Sequence, residues 1–320
     1  MPQAKRDAGV AFVADWSKRT GLKMTQIVGW LGIAESTFHD WQRRAGLPNR
    51  HNASVPRDFW ILPEERAAIL AAHARCPDDG YRRLCYMLLD ADEVAVSPAT
   101  VYRVLSAAGR LRPVALEPSK KGTGFHQPTA PHAHWHIDIS YLSICGTFYY
   151  LCSILDGFSR AIVHWDIAES MREADVELIV QRALERFPGV QPRIISDNGP
   201  QFVADDFKAF IRLVGLTHVR TSPYYPQSNG KKERWYKTLK VEAIRKRTPL
   251  SLADARAVVE AFVLYYNTQR LHSAIGYVTP QAMLEGRAEA IIEGRRAKLA
   301  AARQKRRDAH LAQPEQAIAS

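Results

Sequence analysis

Three acidic residues stand in contexts that could bring them together: Asp138 in WHIDISYL, Asp197 in IISDNGPQF and Glu233 in SNGKKERWYKTLK. Each aspartate interrupts or ends an apolar run with strand composition, and a carboxylate on a buried strand is costly unless it is paired or holds a cation. Glu233 follows the breaker-rich stretch SPYYPQSNG and lies in residues 228–247, which have helical composition. Two strand aspartates and one helix glutamate could therefore meet at one metal site.

Three carboxylates suit the chemistry of phosphodiesters. In-line attack needs an activated oxygen nucleophile and a stabilised leaving oxygen, and two divalent ions about 4 Å apart serve both ends. Hard cations such as Mg²⁺ prefer oxygen ligands and keep several waters. The contexts of the acids, with thirty-five residues between Asp197 and Glu233, indicate a polynucleotidyl transferase.

The residues around Glu233 add a second observation. Asn229, Glu233, Lys237 and Lys240 lie at offsets of four, four and three, so a helix places them on one face. Lysines beside a metal-binding carboxylate would neutralise DNA phosphates. A solvated helix with Glu–Lys pairing is the alternative for this segment taken alone, and the two aspartates favour the metal site over it.

Residues 134–280 resemble the DDE transposases and integrases with a retroviral-integrase-like catalytic core, in particular the IS3-group transposases of bacterial insertion sequences. The motifs that carry the resemblance are WHIDISYL, YYLCSILDGFSRAIVHW, SDNGPQF, SPYYPQSNGKKER and YYNTQRLHSAIGYVTP. The resemblance implies an RNase H-like fold and dependence on Mg²⁺ or Mn²⁺, with two ions in each active site. It also implies nicking of DNA at transposon ends and strand transfer into target DNA.

The resemblance also assigns roles to residues. Asp138, Asp197 and Glu233 match the catalytic, metal-binding triad. Arg270 and His272 match a segment just past the core and could hold DNA or the loop near Glu233, although packing and capping roles are equally consistent. The DNA-contact residues implied around the active site are Asn229, Lys232, Arg234, Lys237 and Lys240.

The apolar pattern of the core predicts a mixed sheet covered by helices on both faces, an α/β fold. Asp156 in LDGFSR is expected to cap the turn before Ser159 and Arg160, with a place at the metal site as the alternative. The predicted strands are residues 136–144, 147–155, 161–167, 193–196 and 217–220, and the predicted helices are 172–187 and 204–214.

Residues 1–47 contain a helix-turn-helix pattern, MTQIVGWLGIAESTFHDWQRR. An apolar first helix, a turn at Gly32 and a second helix that opens near Glu35 fit a DNA-reading module. An ordinary helical hairpin is the alternative. The DNA contacts expected from this module are Ser36, Thr37, Arg43 and Arg44.

Residues 57–111 contain a second module of the same kind, and IS3-group transposases resemble this arrangement too. One helix begins near Tyr81, and another begins after Ser97 and Pro98, which form an N-cap and a first helical position. Thr100 is expected to be exposed. The DNA contacts expected from this module are Arg82, Arg83, Thr100 and Arg103.

These features predict an RNase H-like catalytic core preceded by all-α helix-turn-helix modules. Residues 112–131 form a basic linker that either lets the modules find DNA independently or acts as a passive tether. Residues 132–248 form the core. Residues 249–320 form a basic helical segment that either contacts the DNA backbone or a partner, or is a solvated helix.

The composition agrees with a nucleic-acid partner. The chain has 320 residues, 46% of them hydrophobic, and a formal net charge of +11, which favours a polyanion. No apolar run is long enough for a membrane span and no signal-peptide core is present, so we expect a cytoplasmic, nucleoid-associated bacterial protein with no membrane partner. The expected partners are double-stranded DNA, as terminal inverted repeats and target, and further copies of the chain. A structure-selective nuclease and a catalytically silent DNA-binding regulator are the alternatives.

Overall fold

The computed structural model describes residues 3–47, 60–111, 127–220 and 230–311. The chain forms two compact units, residues 1–60 with 309–320 and residues 61–308. Most of the predicted basic linker, residues 112–131, lies outside the described residues.

The first unit is helical. Its described helices are α1 Gln3–Thr20, α2 Met24–Trp30 and α3 Glu35–Arg43. Val13 of α1, Ile27 and Val28 of α2, and Phe38 of α3 form its apolar core. The turn between α2 and α3 contains Gly32 at φ +66°, a conformation that costs glycine little. The predicted helix pair with its turn is confirmed, and α1 is an additional element that packs against it.

The second unit begins with three helices. These are α4 Pro63–Arg75, α5 Tyr81–Asp90 and α6 Pro98–Ala107. Ser97 is the N-cap of α6, where its Oγ accepts a hydrogen bond from the amide of Thr100 at 3.3 Å, and Pro98 follows at the first helical position. The predicted start of α6 is confirmed. We call residues 61–111 the second helical module.

A five-stranded sheet follows, in the order β3-β2-β1-β4-β5. The first three strands are antiparallel neighbours, whereas β4 pairs parallel with both β1 and β5. This is the predicted mixed sheet, with strand bounds within two residues of the expected ones. The strands are β1 His134–Ile144, β2 Thr147–Asp156, β3 Ile162–Ala168, β4 Arg193–Ser196 and β5 Thr217–Arg220.

Helices cover both faces of the sheet. On one face, α7 Glu173–Arg186, α8 Pro200–Val203 and α9 Asp205–Leu213 pack on the side chains of Trp135 and Ile137. On the other face, α10 and α12 pack on Leu142 and Leu151. The helices of that second layer are α10 Gly230–Leu239, α11 Arg245–Arg247 and α12 Leu252–Thr268, and the π-helical residues Lys240–Ile244 join α10 to α11.

The chain continues with a 3₁₀ turn at Ser273–Ile275, then α13 Pro280–Leu284 and α14 Ala288–Leu311. Within the described ranges, no helix combines the length and the apolar character that a bilayer span requires.

Candidate active site

Asp138 and Asp197 lie at equivalent positions on neighbouring parallel strands. His136 of β1 is the register partner of Ile195 of β4, and each aspartate follows its strand's member of that pair by two residues. Strand side chains alternate between faces, so both carboxylates belong to the same face of the sheet, at the level where β4 ends. Both carboxylates are half-buried. Asp138 Oδ1 accepts a hydrogen bond from the amide of Ile139 at 2.9 Å, and Asp197 Oδ1 accepts one from the amide of Gly199 at 3.0 Å.

The face that carries the aspartates is the one against which α10 packs. Ser153 of β2 is the register partner of Asp138, and directly paired residues share a face. The buried Ser153 hydroxyl accepts from Trp235 Nε1 at 3.2 Å and donates to the hydroxyl of Tyr236 at 3.1 Å. That tyrosine hydroxyl in turn donates to the carbonyl of Asp138. Ser153 thus holds α10 against β1 and β2.

Lys232 completes this buried network and does not reach the surface. Its side chain is 0% exposed, and Nζ donates to both the carbonyl and the hydroxyl of Ser153. Burial lowers the pKa of Lys232 to about 8, against the opposing effect of the nearby Asp138 carboxylate. The expectation that Lys232 contacts DNA is contradicted, because a fully buried ammonium already bonded to β2 cannot reach a phosphate.

Glu233, the neighbour of Lys232 on α10, is exposed instead of buried. Its exposed side chain lines a cleft of about 510 Å³, which we call the Glu233 cleft. Within the described part of the chain, no three His, Cys, Asp or Glu side chains are grouped so that they could hold a metal ion. The structure therefore places Asp138 and Asp197 at the neighbouring interior strands β1 and β4 but does not gather Glu233 with them. The other charged or titratable residues that line the cleft are Arg83, Arg234, Lys237, Arg270 and His272.

Arg270 and His272 line this cleft from within the fold. Arg270 is 8% exposed, and it binds Glu242 through two nitrogens at 2.8 and 2.6 Å while its guanidinium lies over the ring of Tyr266. His272 is equally buried, and its Nδ1 accepts the amide of Ala274. Burial first, and then the charge of Arg270, lowers the pKa of His272 to about 3. The packing and capping alternative describes both side chains as they stand.

The predicted shared face of α10 is divided in the structure. Glu233 and Lys237 line the same cleft, but Lys240 turns to the sheet, where Nζ donates to Ser140 Oγ at 2.9 Å. Ser140 lies two residues beyond Asp138 on β1, so Lys240 stays close to the strand that carries Asp138. Asn229 lies outside the described residues.

Asp156 is a structural residue, as its sequence context suggested. It is 0% exposed, and its Oδ1 accepts both the amide and the hydroxyl of Ser159 at 2.6 Å. Its Oδ2 accepts the amide of His132 at 2.8 Å. Both carboxylate oxygens already accept hydrogen bonds, from the turn after β2 and from the residues that lead into β1, which leaves Asp156 no role at a metal.

Comparison with known proteins identifies the family. The integrase core domain family matches residues 128–226, and a second integrase core domain family matches residues 214–280. The transposase of insertion sequence element IS904 from Lactococcus lactis is 30% identical over 176 residues, which are 51% of this chain and 69% of the relative. The chain belongs to the transposases of bacterial insertion sequences. It is a DDE-type transposase and thus a polynucleotidyl transferase that acts on DNA.

Three further similarities accompany this assignment. The InsD transposase of the IS2 elements of Escherichia coli is 29% identical to this transposase over 227 residues, 66% of this chain and 75% of the relative. Among solved structures, the simian T-cell lymphotropic virus intasome is 18% identical with a TM-score of 0.45, covering 68% of this chain and 73% of that one. The HTLV-2 integrase catalytic core domain in complex with magnesium is 17% identical with a TM-score of 0.41, covering 48% and 97%.

The first helical unit of the transposase presents most of its predicted contacts at the surface. Ser36 and Thr37 are exposed in the first turn of α3. Arg43 is exposed and pairs with Asp40 at 2.5 Å, whereas Arg44 is 24% exposed and pairs with the same carboxylate at 3.1 Å. Arg43 is the freer of the two for a phosphate.

In the second helical module the predicted contacts diverge. Arg82 and Arg103 are exposed, and Arg103 donates to the carbonyl of Ala99 and to the hydroxyl of Thr100. Thr100 itself is 7% exposed, so the expectation that it is available to DNA is wrong. It is buried in the first turn of α6, beside the Ser97 N-cap. Arg83 lines the Glu233 cleft, a location that the sequence did not suggest.

Sequence reasoning missed the residues that hold α10 in place. Ser153, Trp235 and Tyr236 are not among the predicted site residues, although Ser153 is a polar residue inside the apolar run YYLCSILD. A polar side chain at the centre of a buried strand needs hydrogen-bond partners, and that need is the signal that could have identified it.

Proposed function

We propose that this transposase binds the terminal repeats of its insertion sequence through its two helix-turn-helix modules, nicks the DNA at the element's ends and joins the ends to target DNA. Asp138, Asp197 and Glu233 are the catalytic residues of this proposal. The observation that carries it is the equivalent placement of Asp138 and Asp197 on adjacent parallel strands, on the face that α10 covers. Glu233 lies on that same helix.

The donor chemistry fits a divalent ion in part. The half-buried carboxylates of Asp138 and Asp197 lie on one face of the sheet and offer the hard oxygen ligands that Mg²⁺ and Mn²⁺ take. The third carboxylate is not grouped with them among the described residues, so the proposal requires Glu233 to move toward the aspartates when substrate is bound. Two such ions, once held, would supply activation of a water or 3′-hydroxyl and stabilisation of the leaving oxygen.

The remaining residues of the proposal bind and orient DNA. Arg234 and Lys237 are exposed along the Glu233 cleft and make no ion pair within the described ranges, so their charges are available to phosphates. Ser36, Thr37 and Arg43 are exposed on α3, and this exposure supports base and backbone contacts by that helix. Because two ends of one element must be joined to one target, we propose that the active species is a dimer or a larger assembly of this chain.

The experiment uses purified protein, a labelled duplex of the element's terminal sequence and supercoiled target plasmid, with Mg²⁺, with Mn²⁺ and with EDTA. The proposal predicts a nicked end and a joined product, both dependent on the divalent ion. Cleavage without joining would replace the proposal by a nuclease. Tight binding of the duplex with neither reaction would replace it by a DNA-binding regulator.

A further inference from the structure

The last helix of the second unit is bonded to the second helical module through a buried arginine. Arg295 of α14 is 5% exposed, and it binds both carboxylate oxygens of Asp90, the last residue of α5, at 2.7 and 2.6 Å. The same guanidinium donates to the carbonyls of Gly276 and Tyr277 at 3.2 and 2.8 Å. One side chain therefore joins three separate segments of the unit: α14, the end of α5 and the turn after α12.

Aromatic rings reinforce this junction. Tyr86 of α5 stacks on Tyr277 with ring centroids 4.8 Å apart and planes at 20°, and the Arg295 guanidinium lies 4.8 Å from the centre of the Tyr86 ring. The Arg295 guanidinium is held in one geometry, because its N–H groups bind Asp90 in a bidentate pair while its planar face stacks on the Tyr86 ring. The junction fixes α5 against the segment that leaves the core.

Two more basic residues of α14 bind the module further along. Lys298 Nζ donates to the carbonyl of Leu89 at 3.0 Å and pairs with Asp92 at 2.7 Å. Arg306 is 3% exposed, and its Nη1 donates to Glu65 at 2.8 Å and to the carbonyl of Ala95 at 3.0 Å. These contacts use charges that the sequence left open for DNA or solvent. Residues 288–308 act instead as a strap across the module.

The strap has a consequence at the other end of α5, in its first turn. Arg83 lines the Glu233 cleft together with Arg234 and Lys237 of α10. Its Nη1 pairs with Asp79 at 2.5 Å, and its buried Nε has no hydrogen-bond partner within the described part of the chain. A guanidinium has five N–H donors in a fork that matches phosphate. Nη2 of Arg83 makes no hydrogen bond within the described part of the chain, so this nitrogen keeps its donors for a ligand in the cleft beside α10.

We propose that Arg83 contacts a DNA backbone phosphate in the Glu233 cleft, so that α5 forms one wall of the strand-binding surface, and that α14 holds it there. This inference rests on the proposed function in taking DNA as the ligand. The second helical module is then a fixed part of the cleft rather than an independent reader on a tether. In this proposal, the distance between Arg83 and α10 decides which phosphate of a DNA strand in the cleft Arg83 contacts.

Binding of a fluorescent duplex of mixed sequence, followed by anisotropy over a series of salt concentrations, tests the proposal. A phosphate contact is independent of sequence, so the element's end is not needed. We expect Arg83→Ala to raise Kd about tenfold near 0.1 M salt and to reduce the slope of log K against log salt by about one. Arg66→Ala, an exposed arginine of α4, should leave both within about twofold, as expected for an exposed charge that forms no DNA contact.

Two further variants separate a DNA contact from a structural role. Asp79→Asn breaks the same ion pair but leaves the guanidinium, so the proposal predicts unchanged or tighter binding, whereas a structural role of the pair predicts the loss seen with Arg83→Ala. Arg295→Ala should weaken binding as Arg83→Ala does, and the double variant should be no weaker than either single one, because both remove the same contact. Arg296→Ala, the exposed neighbour, is the matched control for the strap.

Equal effects of Arg83→Ala and Arg66→Ala, or additive losses in the Arg83 and Arg295 double variant, would overturn the inference. Cleavage is scored separately on the wild type. A protein that binds DNA through Arg83 and never cuts it refutes the proposed function and supports this inference. A protein that cuts DNA while Arg83→Ala binds as the wild type does overturns this inference alone.

Discussion

Asp138 on β1 and Asp197, the residue that follows β4, occupy matching positions, each two residues beyond the register pair of His136 and Ile195. The relationship follows from the parallel pairing of two strands that are far apart in the chain. It brings the two carboxylates to the same level of the sheet. It also places both on the face that α10 covers, through the bond from the Tyr236 hydroxyl to the carbonyl of Asp138.

Ser153→Ala should loosen α10 from the sheet. The substitution leaves the buried Lys232 ammonium and the Trp235 indole short of an acceptor, and an unsatisfied buried donor costs about 1–3 kcal/mol. We expect the free energy of unfolding from urea titration to fall by about 3 kcal/mol, with joining activity reduced as well. Ser143→Ala, at an exposed position of β1, is the control. Equal stability of the two variants would contradict the role of Ser153.

Asp156→Ala should destabilise the core without any specific effect on metal dependence. Three hydrogen bonds to a fully buried carboxylate are lost, and bonds to charged groups contribute about 1.5–3 kcal/mol each before relaxation. Thermal unfolding should shift down by about 10 °C, since about 1 kcal/mol corresponds to 2–4 °C in a unit of this size. If stability were retained and the Mn²⁺ requirement altered, Asp156 would belong to the metal site after all.

His272 should make the protein less stable in acid. Its pKa is lowered to about 3 in the folded state, mainly by burial, so below about pH 6.5 the unfolded chain binds the proton more readily and stability falls as the pH falls. Full stability from this group is present above about pH 6.5. His272→Asn keeps an acceptor for the Ala274 amide and cannot titrate.

The urea midpoint of the wild type and of His272→Asn, measured from neutral pH down to about pH 5, checks this expectation. The wild-type free energy of unfolding should fall more steeply, by a difference approaching about 1.4 kcal/mol per pH unit. His136, whose pKa burial lowers to about 2, contributes to both curves alike. Parallel curves for the two proteins would show that His272 is not buried in its neutral form.

Lys237→Ala should weaken duplex binding without changing its sequence preference. The side chain is exposed on the Glu233 cleft, and a phosphate contact is lost equally from every sequence. The slope of log K against log salt should fall by about one. Lys305→Ala, exposed on α14, controls for general charge. A slope equal to that of the wild type would remove Lys237 from the DNA surface.

Much of the core could be predicted because its signals are local. Apolar runs bounded by turns fixed β1, β2 and β4 to within two residues, and the Ser97–Pro98 pair predicted the start of α6. The role of Asp156 was also readable, since an acid three residues before a serine in a turn has a ready hydrogen-bond partner.

The rest depends on which face of a helix meets the sheet. The spacing of Glu233, Lys237 and Lys240 predicted one shared face of α10. In the structure Lys232, Trp235 and Tyr236 pack against the sheet instead, and this orientation of the helix leaves Glu233 exposed. A long-range partner such as Ser153 decides that competition, and spacing within α10 carries no information about it. The same holds for Arg295, whose partner Asp90 lies more than two hundred residues away.

Strand transfer by Glu233→Gln tests the central claim most directly, because Glu233 is the one member of the proposed triad that the structure does not gather with the others. The reaction would be run with Mn²⁺ beside the wild type, Asp138→Asn, Asp197→Asn and Glu260→Gln, an exposed glutamate of α12. The account predicts joining by the wild type and Glu260→Gln, and a loss of at least about a hundredfold in the three triad variants. Joining by Glu233→Gln at a rate close to that of the wild type would contradict it.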